Sequence, residues 1–152
     1  MSSPYIQAEI SKIIKANNNP ENIALASAWI IANFKGINIK IFDGKKTSSL
    51  CDYNIVASAE NIIQAKSMVD EIVVALKEHN IEIRSLEGMG DAEWILLDLG
   101  DIIIHIFQDT ARDMFDLDSL WHGEDQLTIP AEYYFGKGEE AEKKQDSTSN
   151  YF

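Results

Sequence analysis

An α/β fold, with a mixed β-sheet of about five strands flanked by helices, is what this sequence predicts, and three observations predict it. Two segments carry helical apolar spacing between recognisable start and stop residues. Two apolar runs, Trp94–Asp98 and Ile102–Phe107, are separated only by Leu99-Gly100-Asp101, the mark of an antiparallel hairpin. Shorter β-patterned runs alternate with helices ahead of that hairpin, which disfavours a purely parallel, doubly wound sheet. At 152 residues the chain suits one domain plus a tail, because two separate cores would each be small. We divide it into a lead-in over 1–19, a domain over 20–135 and a tail over 136–152. The Gly, Lys, Glu, Gln and Ser content of the tail predicts disorder.

In the lead-in, Ile6, Ile10, Ile13 and Ile14 fall at helical spacing before Asn17-Asn18-Asn19 signals a loop. Asn19 can cap the next helix, Pro20 fits its first position, Glu21 suits its positive end and Gly36 stops it. Leu25, Ala28, Trp29 and Ala32 make its apolar side, with Trp29 read as core. Ile37–Phe42 alternates into Asp43-Gly44 as a strand, and Tyr53–Ala59 reads as a second strand beyond a polar loop at 45–50. Asn61 or Ser58 caps a long helix reaching His79, with Ile62, Ala65, Met68, Val69, Ile72, Val73 and Leu76 on one side. Ile81–Leu86 is a third strand. In the hairpin, Gly100 supplies the positive φ of a tight turn. Both hairpin strands are apolar on both faces, as expected of strands covered on each side or presenting one face to a partner. Asp109–Trp121 contains short helical stretches, with Met114, Phe115, Leu117, Leu120 and Trp121 available to pack back.

Charge narrows the function classes. The chain has 25 acidic and 13 basic residues, for a net charge of −12. Between Asp91 and Asp125 stand ten acids and one base, Arg112, so that stretch alone carries −9. Binding a polyanion needs Lys and Arg to displace counterions, so direct DNA binding is not expected and a macromolecular partner should be basic. A solvated face and an acidic docking surface both fit the charge taken alone. The single cysteine, Cys51, allows no internal disulfide, and Asp52 beside it opposes thiolate formation. No apolar run approaches the roughly 20 residues of a membrane span, and no basic start precedes a long apolar core. A cytoplasmic protein free of the membrane is expected.

Catalytic constellations are scarce. Gly88-Met89-Gly90 lacks the third glycine and the following helix of a phosphate loop, and His79, His105 and His122 have no metal-ligand spacing. No cofactor is expected. Asp91, Asp98 and Asp101 bracket the hairpin and could hold Mg²⁺ for nucleotidyl transfer, which would make the protein a metal-dependent enzyme. Such a site also needs donors for the nucleotide phosphates, and the region offers only Arg112. A docking surface uses more of the same residues: Trp94, Leu97 and Leu99 as apolar anchors, with Asp91, Glu93, Asp98 and Asp101 as an acidic rim. Because successive strand residues point to opposite faces, Trp94 and Leu97 cannot both belong to that surface.

The sequences Asp52-Tyr-Asn-Ile-Val-Ala-Ser-Ala59, Glu87-Gly88, Trp94-Ile-Leu-Leu-Asp-Leu-Gly-Asp-Ile-Ile-Ile-His-Ile-Phe107 and Arg112-Asp-Met-Phe-Asp-Leu-Asp-Ser-Leu-Trp121 resemble the ribosomal silencing factor S (Iojap) family. The resemblance runs in order from about Glu21 to Trp121, and its block from Trp94 to Trp121 is specific. It implies a nucleotidyltransferase-like fold without that activity, and binding to the large ribosomal subunit through its basic ribosomal protein number fourteen. It further implies a steric block on joining of the small subunit when nutrients are scarce, and homodimers in many members. Carried over residue by residue, it points to Trp94, Leu97, Asp98, Leu99, Asp101 and His105 as partner-binding. Asn54 and Ala59 depart from the family pattern, which commonly has an apolar residue and a glycine there. The chain also runs on past Trp121, where Leu127–Phe135 is apolar enough to dock on the domain or on a second copy.

Overall fold

The computed structural model describes residues 3–14, 19–46 and 51–135. In chain order the elements are α1 (Pro4–Ile14), α2 (Pro20–Asn33), β1 (Ile37–Asp43), β2 (Tyr53–Ala59), α3 (Ile62–Glu78), β3 (Ser85–Glu87), β4 (Trp94–Asp98), β5 (Ile102–Gln108), α4 (Asp109–Phe115), α5 (Leu117–Leu120), β6 (Asp125–Gln126) and α6 (Glu132–Phe135). Residues 47–50 of the expected polar loop and the whole of the expected 136–152 tail lie outside the described residues.

The long helices start where side-chain oxygens can serve free N–H groups. Asn19 Oδ1 accepts from the Asn22 N–H at 2.8 Å with Pro20 following, and Asn61 Oδ1 accepts from the Gln64 N–H at 2.8 Å. Each cap contributes about 1 kcal/mol. Gln64 also donates to the carbonyl of Phe34 at 2.8 Å, which ties the start of α3 to the end of α2. That end differs from expectation. Lys35, not Gly36, takes the left-handed conformation (φ 63°). Gly36 is required for space instead, since a Cβ there would lie 2.3 Å from Ile31 Cγ2.

The sheet is mixed, in the order β3-β4-β5-β2-β1-β6, with only β2 and β5 parallel. Six strands stand where about five were expected, because the two-residue β6 adds itself to the edge beside Phe42 and Asp43. The strand expected over 81–86 shrinks to Ser85–Glu87. Ile81 and Ile83 instead pack, half-buried, against the helix-side core. The β4–β5 hairpin closes as the sequence predicts: the Leu99 N–H bonds the Ile102 carbonyl at 2.9 Å and Gly100 sits at φ 93°.

The strands have two different faces. Ile41, Ile55, Ala57, Ile95, Leu97, Ile104 and Ile106 point toward α1, α2 and α3 and form one continuous core with Trp29, Ile30, Ile31, Met68 and Ile72. Ile10 and Ile14 of α1 join it, so the lead-in helix packs onto the domain. Leu127, Ile129, Tyr133 and Tyr134 fold back onto the same core, and burial pushes the Tyr134 hydroxyl up to about 12. No helix among the described residues is long and apolar enough to cross a membrane. Among the described residues, the other sheet face is covered by the short α4 and α5.

Candidate functional site

The incompletely covered face follows from alternation and register. Trp94, Leu96 and Asp98 of β4 lie directly opposite Phe107, His105 and Ile103 of β5, and His105 in turn lies opposite Val56 of β2. Phe42 of β1 lies opposite Asn54. All of these side chains project away from α1–α3. Their rings form a connected track. Trp94 lies 4.7 Å from Phe115 and 5.0 Å from Phe107, His105 lies 5.5 Å from Trp121, and Trp121 lies 5.7 Å from Phe42 between ring centroids. Each such aromatic pair adds about 1 kcal/mol beyond area burial. Of the residues expected to pack back, Leu117 and Trp121 do. Met114, Phe115 and Leu120 stay 73 %, 48 % and 69 % exposed, because helices this short cannot turn every apolar side chain inward. An apolar patch therefore extends from the sheet face onto α4 and α5.

Under the track runs a polar chain. The Trp94 indole N–H donates to His105 Nδ1 at 3.1 Å. An indole can only donate, so Nδ1 accepts and the ring proton sits on Nε2. Nε2 then donates to Asn54 Oδ1 at 3.2 Å. Only 5 % of His105 is exposed, and burial lowers its pKa to about 4, keeping the ring neutral.

Arg112 locks the covering helices down. Buried beneath α4, its Nε and Nη2 donate to Asp118 at 3.0 and 2.9 Å, while Nη1 donates to the Asn38 carbonyl at 2.7 Å and to Ser58 Oγ at 3.0 Å. One guanidinium thus joins α4, α5, the irregular start of β1 and β2. Lys40 adds a second cation 3.1 Å from Asp118. The hydrogen bond from Arg112, with the two nearby positive charges, holds the Asp118 carboxyl below the usual carboxylate range. Both groups are structural, so the only base of the acidic stretch is not available to a ligand. Asp101 in the hairpin turn and Asp109, Asp113 and Asp116 on or at the end of α4 remain exposed.

The expected site residues divide. Trp94, half-buried, Asp98, partly exposed, and His105, buried, share the aromatic face. Leu97 does not: it is 1 % exposed and belongs to the helix-side core, one residue out of phase with Asp98. Leu99 likewise packs, half-buried, against that core. Asp101 is exposed in the hairpin turn. The three carboxylates of the metal reading are not brought together. Asp91 precedes β4 and Asp98 ends it, about 15 Å of extended strand apart. Their oxygens are engaged locally, Asp91 accepting from the Glu93 N–H at 3.2 Å and Asp98 from the Gly100 N–H at 2.8 Å. Among the described residues no group of three or more His, Cys, Asp and Glu side chains is set to hold a metal ion.

Sequence reasoning omitted Leu96, Ile103, Phe107, Phe115, Trp121, Phe42 and Asn54 from the site. The available signal was parity: once Trp94 and His105 are put on one surface, Leu96, Ile103 and Phe107 must follow. Nothing local marks Phe42, Asn54 or Trp121, which arrive through sheet pairing and the return of the chain after α5.

One enclosed sheet face and one incompletely covered aromatic face define an α/β protein whose distinctive surface is a sheet face rather than a cleft. The family model described as "Ribosomal silencing factor during starvation" matches residues 17–151, and the chain belongs to that family. Its role is ribosome-associated silencing. It is 34 % identical over 104 residues to a ribosomal silencing factor of Chromobacterium violaceum, covering 68 % of this chain and 85 % of the relative. It is 37 % identical over 87 residues to one of Haemophilus influenzae, covering 57 % and 85 %. A crystal structure of a C. violaceum protein superposes with a TM-score of 0.62 at 30 % identity, covering 80 % of this chain and 90 % of that one. A crystal structure from Bacillus halodurans superposes with a TM-score of 0.63 at 26 % identity, covering 73 % and 100 %.

Proposed function

We propose that the protein represses translation by laying the aromatic face of its sheet on ribosomal protein number fourteen of the large subunit and so blocking, by bulk alone, the joining of the small subunit. The observation that carries this reading is the track of Trp94, Phe107 and Phe115, open to solvent at Phe115 next to the exposed Met114, with Asp109, Asp113 and Asp116 exposed along the same short helix and its end. Aromatic anchors supply affinity in such surfaces, and the acids steer a basic partner into place. Trp94 is the central anchor, Asp98 and Asp101 contribute to the rim, and His105 acts from beneath. Leu97 and Leu99 act only through the fold. Occlusion needs no catalytic residue and no cofactor, in keeping with a regulator that is not an enzyme. The site of action is the cytoplasm, and a homodimer is compatible with occlusion because added bulk enlarges the block.

Sedimentation with purified large subunits tests this directly. The protein should co-migrate with them at low salt and reduce the yield of joined ribosomes when small subunits are added. Trp94→Ala should weaken binding by about 2–4 kcal/mol while its circular dichroism stays native. Failure to co-sediment at low salt would sink the reading.

A further inference from the structure

The polar chain beneath Trp94 is more than the sheet requires. Aliphatic side chains at positions 54 and 105 would fill the same face without desolvating an amide and an imidazole. A half-buried indole at a surface can also give its N–H to water. Here the N–H is drawn inward to His105 Nδ1, while the ring packs against both Phe107 and Phe115, whose own centroids are 6.3 Å apart. A hydrogen bond at one edge and contacts with two rings hold the indole in this orientation. The acceptor exists only while the imidazole proton stays on Nε2, and the Asn54 oxygen on the adjacent strand β2 keeps it there. Among the described residues no charged group bonds the imidazole. Lys40 of β1 and Arg112 of α4 are engaged on Asp118 of α5, and Asp98 of β4 is engaged on the Gly100 N–H. Glu87 of β3 lies across β4, opposite Leu96, and the Cys51 thiol lies beside Asn54.

We propose that Asn54 and His105 are positioning residues for Trp94, fixing through one tautomer the indole orientation with which the face docks. The inference rests on the docking reading above and deepens it. An anchor already held in its bound orientation has less freedom to lose on binding. Asn54, the departure from the family pattern noted in the sequence, is then the residue that sets the tautomer in this chain.

Nitrogen-15 spectroscopy of the full chain reads the bond directly, because the Trp94 indole N–H resonance is the one absent from Trp94→Phe. In the wild type it should exchange slowly with solvent. Asn54→Leu should speed that exchange at least about tenfold and weaken binding to purified large subunits about fivefold, the size of one lost hydrogen bond. In the Trp94→Phe background, Asn54→Leu should change binding by less than about twofold, since its effect passes through the indole. Asn54→Asp keeps an acceptor and guards against a variant that fails to fold. Its indole signal should match the wild type above neutral pH and be lost as pH falls, because a carboxylate draws a second proton onto the ring. Unchanged indole exchange in Asn54→Leu would overturn the proposal, as would an equal loss of binding with and without the indole. If indole exchange responds as expected but Trp94→Ala binds subunits like the wild type, the docking reading fails and the positioning role falls with it.

Discussion

The two faces of the sheet are made by the same strands yet built on different rules. The face under α1, α2 and α3 is aliphatic: Ile41, Ile55, Ile95, Leu97, Ile104 and Ile106 are all enclosed and meet Ile and Ala side chains from the helices. The other face carries the rings of Phe42, Trp94, Phe107 and Trp121 and three polar groups in series. Among the described residues two short helices cover it, and a buried arginine pins them. An aliphatic interior is held by area and shape and tolerates no solvent. An aromatic face with internal hydrogen bonds can stay partly wet without collapsing, which suits a surface that must exist before its partner arrives. On the proposed docking role, stability and recognition are assigned to opposite sides of one layer.

That division can be broken experimentally. The largest effect belongs to the enclosed side: Leu97→Ala should cost about 2–5 kcal/mol in urea denaturation while folded molecules bind large subunits normally. A binding defect beyond the loss of folded protein would erase the distinction. The next effect comes from His105. Its ring titrates near 6.5 when unfolded and near 4 when folded, because burial disfavours the charge. Above pH 6.5 neither state is protonated and the stability is full. Between pH 6.5 and 4 the unfolded chain takes up a proton that the folded chain refuses, so stability falls by about 3 kcal/mol in total. Denaturation of the wild type and His105→Gln at pH 7 and pH 4.5 should therefore converge on acidification, and a constant gap would mean the ring is not protected. The smallest effect lies at the rim. Asp101→Lys should leave stability within about 0.5 kcal/mol, slow association a few-fold at low salt, and match the wild type at high salt.

Local chemistry was readable along the chain wherever its cause spans a few residues. Asn19 and Asn61 announce helix starts because a cap involves only the next three residues. Gly100 announces the hairpin because its turn demands a positive φ, and Tyr53–Ala59 announces a strand through β-branched and apolar content. The family block from Trp94 to Trp121 was equally local. Period-two alternation also established that Trp94 and Leu97 lie on opposite faces. Which of them faces the helices is beyond alternation, because a strand with apolar residues on both sides looks the same in either orientation. Only the packing of α1, α2 and α3 against one side made Leu97 core and left Trp94 at the surface. Tertiary structure likewise carried Asn54 to His105, closed Arg112 on Asn38 and Ser58 and set Phe42 beside Trp121, joining groups far apart in the chain. The sequence by itself determined the long helices, the central strands and the acid-rich hairpin, since these are short-range physics, but not the short β3, β6 and α6. The choice of enclosed face and the assembly of the aromatic face were decided by long-range packing, which no window of neighbouring residues encodes.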